Sequence, residues 1–330
     1  MSSLSDRRVS LLSMSETTRV PGRLVRVAGS ATHIVVEPGP ADRPPVVLSS
    51  GLGGAWYDWD RVVPLLAGLA PVLRFDRPGL GWSEPAAIPP SLAGEAERIR
   101  ALLTTPGVLA PDAPPAGRAV LVGHSLAGFH VEAFARLFPE LVAGVVLVDG
   151  SAEPEAPAPE TAELAVRRLA QWRILGDLAT RSGLAGLAMP RLRALAIRLS
   201  RAGGSDLADP GDVAATSASG RLLTAALLEN ATYYAVAAQL LELRCEKPYP
   251  QEPPLRVLAA LGTTPLVRAV PFVSGRVRQR NESWLARQRQ LAELSLHGRL
   301  IELTDSAHYV PFDRPDAVAE TVRELLAALV

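Results

Sequence analysis

One stretch constrains this chain more than any other: Ala119-Val120-Leu121-Val122-Gly123-His124-Ser125-Leu126-Ala127-Gly128. A short run of β-forming residues leads into Gly-His-Ser, and from Leu126 to Phe138 apolar residues recur at helical spacing. Strand, tight turn and helix around a central serine is the setting of the Gly-x-Ser-x-Gly elbow. The turn forces the serine into strained backbone geometry, lifts its hydroxyl above the sheet edge and aims the first helical N–H groups at the same point. Small residues are needed because strand and helix approach closely. Here the last motif position is Ala127, followed by Gly128. The competing reading is a buried serine in an ordinary βα turn, and the flanking pattern favours the elbow.

The rest of the chain fits around that stretch. Arg23 to Val27 and Thr32 to Glu37 read as two strands joined at Gly29-Ser30. Val46 to Leu48, Val72 to Phe75, Val142 to Val148, Leu255 to Leu261 and Arg299 to Leu303 read as short buried strands. Helices are expected over Trp56 to Leu69 (interrupted at Pro64), Ser91 to Leu103, Glu282 to Leu296 and Pro315 to Leu329. Continuous apolar strands alternating with helices imply a mostly parallel sheet covered on both faces, with functional groups at the carboxyl ends of the strands. Ser125, the loop Ser49 to Gly54 and Asp149 all follow strands and should converge. Residues 151–254 break the pattern. Ala162 to Leu178, Arg191 to Arg201 and Arg221 to Arg244 read as helices and no strand is evident, so this segment is expected to be a helical cap inserted into an α/β core of residues 19–150 and 255–330. Residues 1–18 carry no periodicity and are expected to be disordered.

Composition excludes some classes. Lys+Arg and Asp+Glu are both 34, so no basic excess exists to neutralise phosphates, and nucleic acid is not expected as a partner. No run approaches the length of a membrane span, and the polar, Ser-rich N-terminus lacks the apolar core of a signal peptide. Cys245 is the only cysteine, which precludes an internal disulfide and fits a reducing compartment. The expectation is a soluble, cytoplasmic protein with no stable membrane insertion, no metal and no cofactor. Its oligomeric state is not legible.

Five segments together resemble the α/β-hydrolase superfamily, in particular serine-dependent bacterial hydrolases with a helical cap: Val47 to Gly54, Phe75 to Ser83, Val120 to Gly128, Val145 to Asp149, and Ser306-Ala307-His308 to Asp313-Arg314-Pro315. Their order and spacing match over nearly the whole chain outside the cap. The resemblance implies the α/β-hydrolase fold and a nucleophile, base and acid acting in series.

Ser125 needs a base, because a free hydroxyl is a poor nucleophile at neutral pH. Of the five histidines, His33 lies in an early strand, His124 belongs to the elbow and points away from the serine, His130 sits on the following helix and His297 ends a helix. Only His308 lies in a loop after a late strand, where the family also places its base. The acid is less direct. The family usually supplies it after the strand that follows the cap, but that position reads Gly262-Thr263-Thr264-Pro265. Some members place it one strand after the nucleophile, which is Asp149 here. Asp305 is the runner-up and Glu252 a distant third. An oxyanion requires donors. The Leu126 N–H at the helix start is one. The family draws the second from a His-Gly-x loop after an early strand, which reads Ser50-Gly51-Leu52 and gives Leu52.

Together these readings predict hydrolysis of a carboxylic ester or related acyl compound through an acyl-enzyme on Ser125, with a small apolar acyl substrate as the partner. A thioesterase, lactonase or acyl-transfer or cyclisation enzyme would share the acyl-enzyme, and a non-catalytic small-molecule binding protein could share the pocket. Epoxide hydrolases of this fold use an aspartate at the elbow, so Ser125 argues against that chemistry despite Tyr233-Tyr234 in the cap. In the cap, Leu184, Leu187, Leu192, Leu195 and Leu199 form an apolar face expected to lie over the pocket, with a membrane-surface helix as the alternative.

Overall fold

A computed structural model describes residues 20–155, 162–202, 208–265 and 274–329. The N-terminal segment 1–18, expected to lack structure, lies outside the described residues. Eight strands form one sheet: β1 (Arg23–Val27), β2 (Ser30–Glu37), β3 (Val46–Ser49), β4 (Val72–Phe75), β5 (Ala119–His124), β6 (Val142–Val148), β7 (Leu255–Ala260) and β8 (Gly298–Leu303). They are ordered β1-β2-β4-β3-β5-β6-β7-β8. β1, β2 and β4 pair antiparallel, and from β4 across to β8 every pairing is parallel.

Alternation along each strand explains why the apolar runs are continuous. In β5, Ala119 and Leu121 face one core while Val120 and Val122 face the other. In β6, Val145 and Leu147 face the first core and Val146 and Val148 the second. The first core is closed by α2 (Leu92–Thr104), α3 (Ala127–Leu137) and the end of α8 (Ser274–Ala292). The second is closed by α1 (Val63–Leu66) and α10 (Pro315–Ala327). With both faces covered, each fully buried valine or leucine stabilises by about 1.5–3 kcal/mol.

Topology places the site. From β3 the chain moves outward to β4, returns to β5 on the other side of β3, and then proceeds through β6 and β7 to β8. The direction reverses between β3 and β5, and at such a switch point the loops leaving adjacent strands part and open a crevice at their carboxyl ends. The loop after β3 and the elbow after β5 border that crevice.

Several boundaries differ from expectation. The first hairpin turns at Ala28-Gly29 rather than Gly29-Ser30, with φ of 47° and 76°, and Ser30 already pairs with Val27. Two successive positive φ angles give a turn whose twist matches the strands. Trp56 to Leu69 divides into a 3-10 turn (Trp56–Trp59) and α1, with Pro64 in the first turn of α1, where its missing N–H has no helical partner to lose.

Between β6 and β7 the described residues form α4 (Ala162–Arg181), α5 (Leu184–Ser200), α6 (Pro210–Ser217) and α7 (Arg221–Glu246), without a strand. α5 turns most of its leucine face outward rather than over the pocket, and of the leucines on that face Leu199, near its end, lines the cavity beside His308. Its leucines at 184, 187, 192, 195 and 199 are 45–61% exposed, whereas Ala185, Met189 and Ile197 are buried. Charge sets this orientation. Arg193 reaches the buried Asp58 at 2.7 Å and covers the Tyr57 ring, and Arg201, just past the helix, reaches Asp313 at 3.2 Å. Burying those carboxylates without cations would cost more than exposing leucines. No helix among the described residues is long and apolar enough to cross a membrane.

Candidate active site

Ser125 occupies the elbow in the left-handed region, with φ 52°. A non-glycine residue there costs on the order of 1–3 kcal/mol and persists only where its surroundings enforce it. Three backbone bonds do so: Ser125 N–H donates to the Val148 carbonyl at 3.2 Å, and its own carbonyl accepts from Gly128 at 2.9 Å and Ser151 at 3.0 Å. The shift of the small residue by one position is also explained. A Cβ on Gly128 would lie 3.0 Å from the Gly150 Cα, so it is Gly128 that lets the helix pass the next βα junction.

The structure brings Ser125, His308 and Asp149 into one chain of hydrogen bonds. His308 lies in the loop between β8 and α9 (Val310–Asp313); its Nε2 is 2.9 Å from Ser125 Oγ and its Nδ1 is 2.7 Å from Asp149 Oδ2. An ionised Asp149 can only accept, so Nδ1 carries the proton and Nε2 accepts from the serine hydroxyl. Asp149 follows β6, beside the nucleophile strand, and is itself left-handed with φ 44°. Its other oxygen accepts from the Ala260 N–H at 2.9 Å and the Trp284 indole N–H at 2.7 Å. Ala260 ends β7, the strand after which the family usually places its acid. Here that position contributes a donor to a carboxylate that arrives from the neighbouring strand.

The other candidate acids lie elsewhere. Asp305 is exposed and forms a double hydrogen bond with Arg314, and Glu252 is exposed. Of the remaining histidines, His33 is buried against Asp76, His297 is exposed, and His130 is buried in α3 with Nδ1 unpartnered. His124 turns away from Ser125, and its Nε2 donates to the His308 carbonyl at 2.8 Å. Burial, reinforced by the nearby His308, lowers its pKa to about 3, so this support stays uncharged. Asp313 steadies the same loop from the other side by accepting from the Ala307 N–H at 3.1 Å. Of the two cap tyrosines, Tyr233 packs on Phe129 and donates to Glu153, while Tyr234 is 52% exposed.

The Ser50-Gly51-Leu52 loop lies against the elbow. A Cβ on Gly51 would sit 3.2 Å from Ser125 Cβ and 2.9 Å from His124 Nδ1, so only glycine fits. Gly51 thus lies against Ser125, and the expected oxyanion donors Leu52 and Leu126 are the residues that follow Gly51 and Ser125 in the chain. Two residues that sequence reasoning passed over hold the loop. Buried Arg77 donates to the Ser50 carbonyl at 2.5 Å and the Gly51 carbonyl at 2.7 Å, and it pairs with Glu229 of α7, Nε to Oε1, at 2.6 Å. A cavity of about 490 Å³ adjoins Asp149 and His308; Thr263, Thr264, Arg280, Asn281 and Arg287 are among the residues that line it.

A family model described as the alpha/beta hydrolase family matches residues 46–321. A RutD protein of Pseudomonas syringae, whose name assigns it provisionally to carbamate hydrolysis, is 36% identical over 116 residues, 34% of this chain and 41% of that protein. The chain thus spans well under half of that relative. Among solved structures, wild-type Cfl2 of Burkholderia cenocepacia superposes with a TM-score of 0.65 at 21% identity, covering 94% of this chain and 97% of that one. The epoxide hydrolase CorEH gives 0.62 at 18% identity, covering 93% and 99%. The enol-lactonase of Burkholderia xenovorans LB400 gives 0.57 at 21%, covering 92% and 99%. At these identities the structural likenesses establish the fold alone.

Proposed function

The chain belongs to the alpha/beta hydrolase family, and we propose that within it this protein is a serine hydrolase that cleaves a carboxylic ester or related acyl compound through an acyl-enzyme on Ser125. The observation that carries the reading is the continuous chain from Ser125 Oγ through His308 to Asp149, at 2.9 and 2.7 Å. His308 Nε2 takes the hydroxyl proton as Oγ attacks the substrate carbonyl carbon. The negative charge that develops on the carbonyl oxygen faces the N–H groups of Leu52 and Leu126. The imidazolium then protonates the leaving group, and His308 next removes a proton from the water that releases the acid and regenerates Ser125. Asp149 holds the Nδ1–H tautomer and offsets the positive charge that forms on the ring.

The serine at the elbow sets this reading apart from epoxide opening, for which the fold family uses an aspartate there. The cavity beside Asp149 and His308 is not lined by Ser125, Leu52 or Leu126 and so sets no preference for the acyl group, which we take to be small and apolar. A carbamate or lactone carbonyl would pass through the same steps, consistent with the names of the RutD and enol-lactonase relatives. The test is covalent labelling with a fluorophosphonate, together with turnover of a panel of neutral esters, succinate monoesters, lactones, thioesters and carbamates. The expected result is labelling on Ser125 that Ser125→Ala abolishes, together with loss of turnover. Labelling that persists on another residue, or no labelling of the wild type, overturns the reading.

A further inference from the structure

We propose that Arg77 and Glu229 are positioning residues of the oxyanion site, aiming and polarising the Leu52 N–H through the far side of its own peptide group. This rests on the acyl-enzyme reading and extends it to residues outside the Ser125–His308–Asp149 chain.

Leu52 N–H and Gly51 C=O belong to one peptide unit. The chain has no cis peptide among the described residues, so these two groups point in opposite directions within one rigid plane. Whatever holds the Gly51 oxygen therefore sets the direction of the Leu52 hydrogen. Two donors hold that oxygen: Arg77 Nη2 at 2.7 Å and the Gly54 N–H at 3.0 Å. Arg77 Nη1 fixes the preceding peptide through the Ser50 carbonyl at 2.5 Å. A cation bonded to an amide oxygen also withdraws charge along the peptide and strengthens the N–H as a donor, the more so in a buried setting.

Glu229 completes the brace. It takes Arg77 Nε on Oε1 at 2.6 Å and Nη2 on Oε2 at 3.0 Å, which locks the guanidinium plane, and Oε2 also accepts the Gly53 N–H at 2.7 Å. One side chain of α7 thus holds both the arginine and the loop. Where the family's loop carries a histidine before the glycine, Ser50 stands here and spends its hydroxyl on the Ala55 carbonyl, and the loop is held by Arg77 and Glu229. The pair is costly as a purely structural device. The two side chains are 3% and 6% exposed, and a buried ion pair commonly adds no net stability over a well-packed apolar one. Its geometry is accounted for by what it orients.

The test uses the double variant Arg77→Met/Glu229→Met, which removes both charges together and leaves neither buried alone, with Glu229→Gln as a milder second variant. Turnover of a p-nitrophenyl ester, the rate of fluorophosphonate labelling and affinity for a trifluoromethyl ketone are measured alongside melting temperature. The expected result for the double variant is a kcat roughly a hundredfold lower at nearly unchanged KM. Labelling rate and ketone affinity should fall in the same proportion, because both place an oxyanion against Leu52. Glu229→Gln should show a smaller loss in the same three quantities. A folded double variant with wild-type kcat overturns the proposal, as does a loss confined to KM and melting temperature. Should the double variant fail to fold, wild-type kcat in Glu229→Gln overturns it equally. A wild type that resists labelling at Ser125 defeats the acyl-enzyme reading itself, whereas full labelling of wild type and both variants at equal rates defeats the brace alone.

Discussion

Trp284 donates its indole N–H to Asp149 Oδ1 at 2.7 Å, across 135 residues of sequence, while the other carboxylate oxygen of Asp149 meets His308. Together with the Ala260 N–H, the indole fixes the rotation of the carboxylate and so the angle at which Oδ2 faces the imidazole. Trp284→Phe keeps the ring and removes the donor. A hydrogen bond to a charged group is worth about 1.5–3 kcal/mol, and loss of part of it from the barrier should lower kcat roughly tenfold at little cost in KM. Steady-state kinetics on any ester the wild type turns over checks this; an unchanged kcat would mean that Ala260 alone suffices.

Asp149→Asn should be far more severe. With the amide oxygen retained by the Trp284 and Ala260 donors, the amide nitrogen faces His308 Nδ1 and favours the tautomer with the proton on Nε2, which cannot accept from Ser125. In serine proteases this change lowers kcat by about four orders of magnitude with the fold intact. Asp305→Asn, which disturbs only the exposed pair with Arg314, should leave kcat within experimental scatter. Measuring both variants side by side decides between the two acids; a large loss in Asp305→Asn would reverse the assignment.

Acid should destabilise the fold through its buried neutral histidines. His124 is lowered to about 3, mainly by burial, and His130 well below its usual value for the same reason, with Arg77 and Arg98 adding to the effect. Between the unfolded value of 6.5 and these folded values the unfolded chain binds more protons. The stability tied to each histidine is complete above pH 6.5 and is lost as pH falls, with a slope approaching about 1.4 kcal/mol per pH unit. Asp60, raised to about 6 chiefly by burial despite Arg74, acts in the opposite sense below pH 6, so comparison with a variant isolates the histidine. His130→Leu should flatten the fall in urea midpoint between pH 6.5 and 5. An unaltered slope would show that His130 takes no part.

Arg193 fastens α5 to the core by neutralising Asp58, whose side chain is 2% exposed. Arg193→Met leaves that carboxylate buried without its cation and should destabilise by about 3 kcal/mol or more. Adding Asp58→Asn should recover most of the loss. Thermal melts of the single and double variants test the coupling, and additive effects would contradict it.

What the residues alone determine here is the part governed by local rules. Continuous apolar runs such as Val142–Val148 can only be strands covered on both faces, and their alternation with helices makes the sheet parallel. Gly123-His124-Ser125 between a strand and a helix, with small residues on both sides, favours an elbow over an ordinary βα turn, and the left-handed Ser125 bears this out. His308 is legible as the one histidine in a loop after a late strand, but Asp149 comes only from the family resemblance, with Asp305 and Glu252 left open, and it is the folded sheet that sets its carboxylate against His308. Three further features were decided by the tertiary structure. Arg77 and Glu229 lie 152 residues apart, and only the packing of α7 on the loop after β3 makes them partners. The Trp284 indole finds Asp149 because α8 crosses β7, a direction that no helical periodicity encodes. Most of the leucine face of α5 points outward because Asp58 and Asp313, on other elements, draw Arg193 and Arg201 inward. A hydrophobic pattern identifies a face but not the charges waiting on the neighbouring element, and a buried carboxylate without a cation is costlier than a row of exposed leucines.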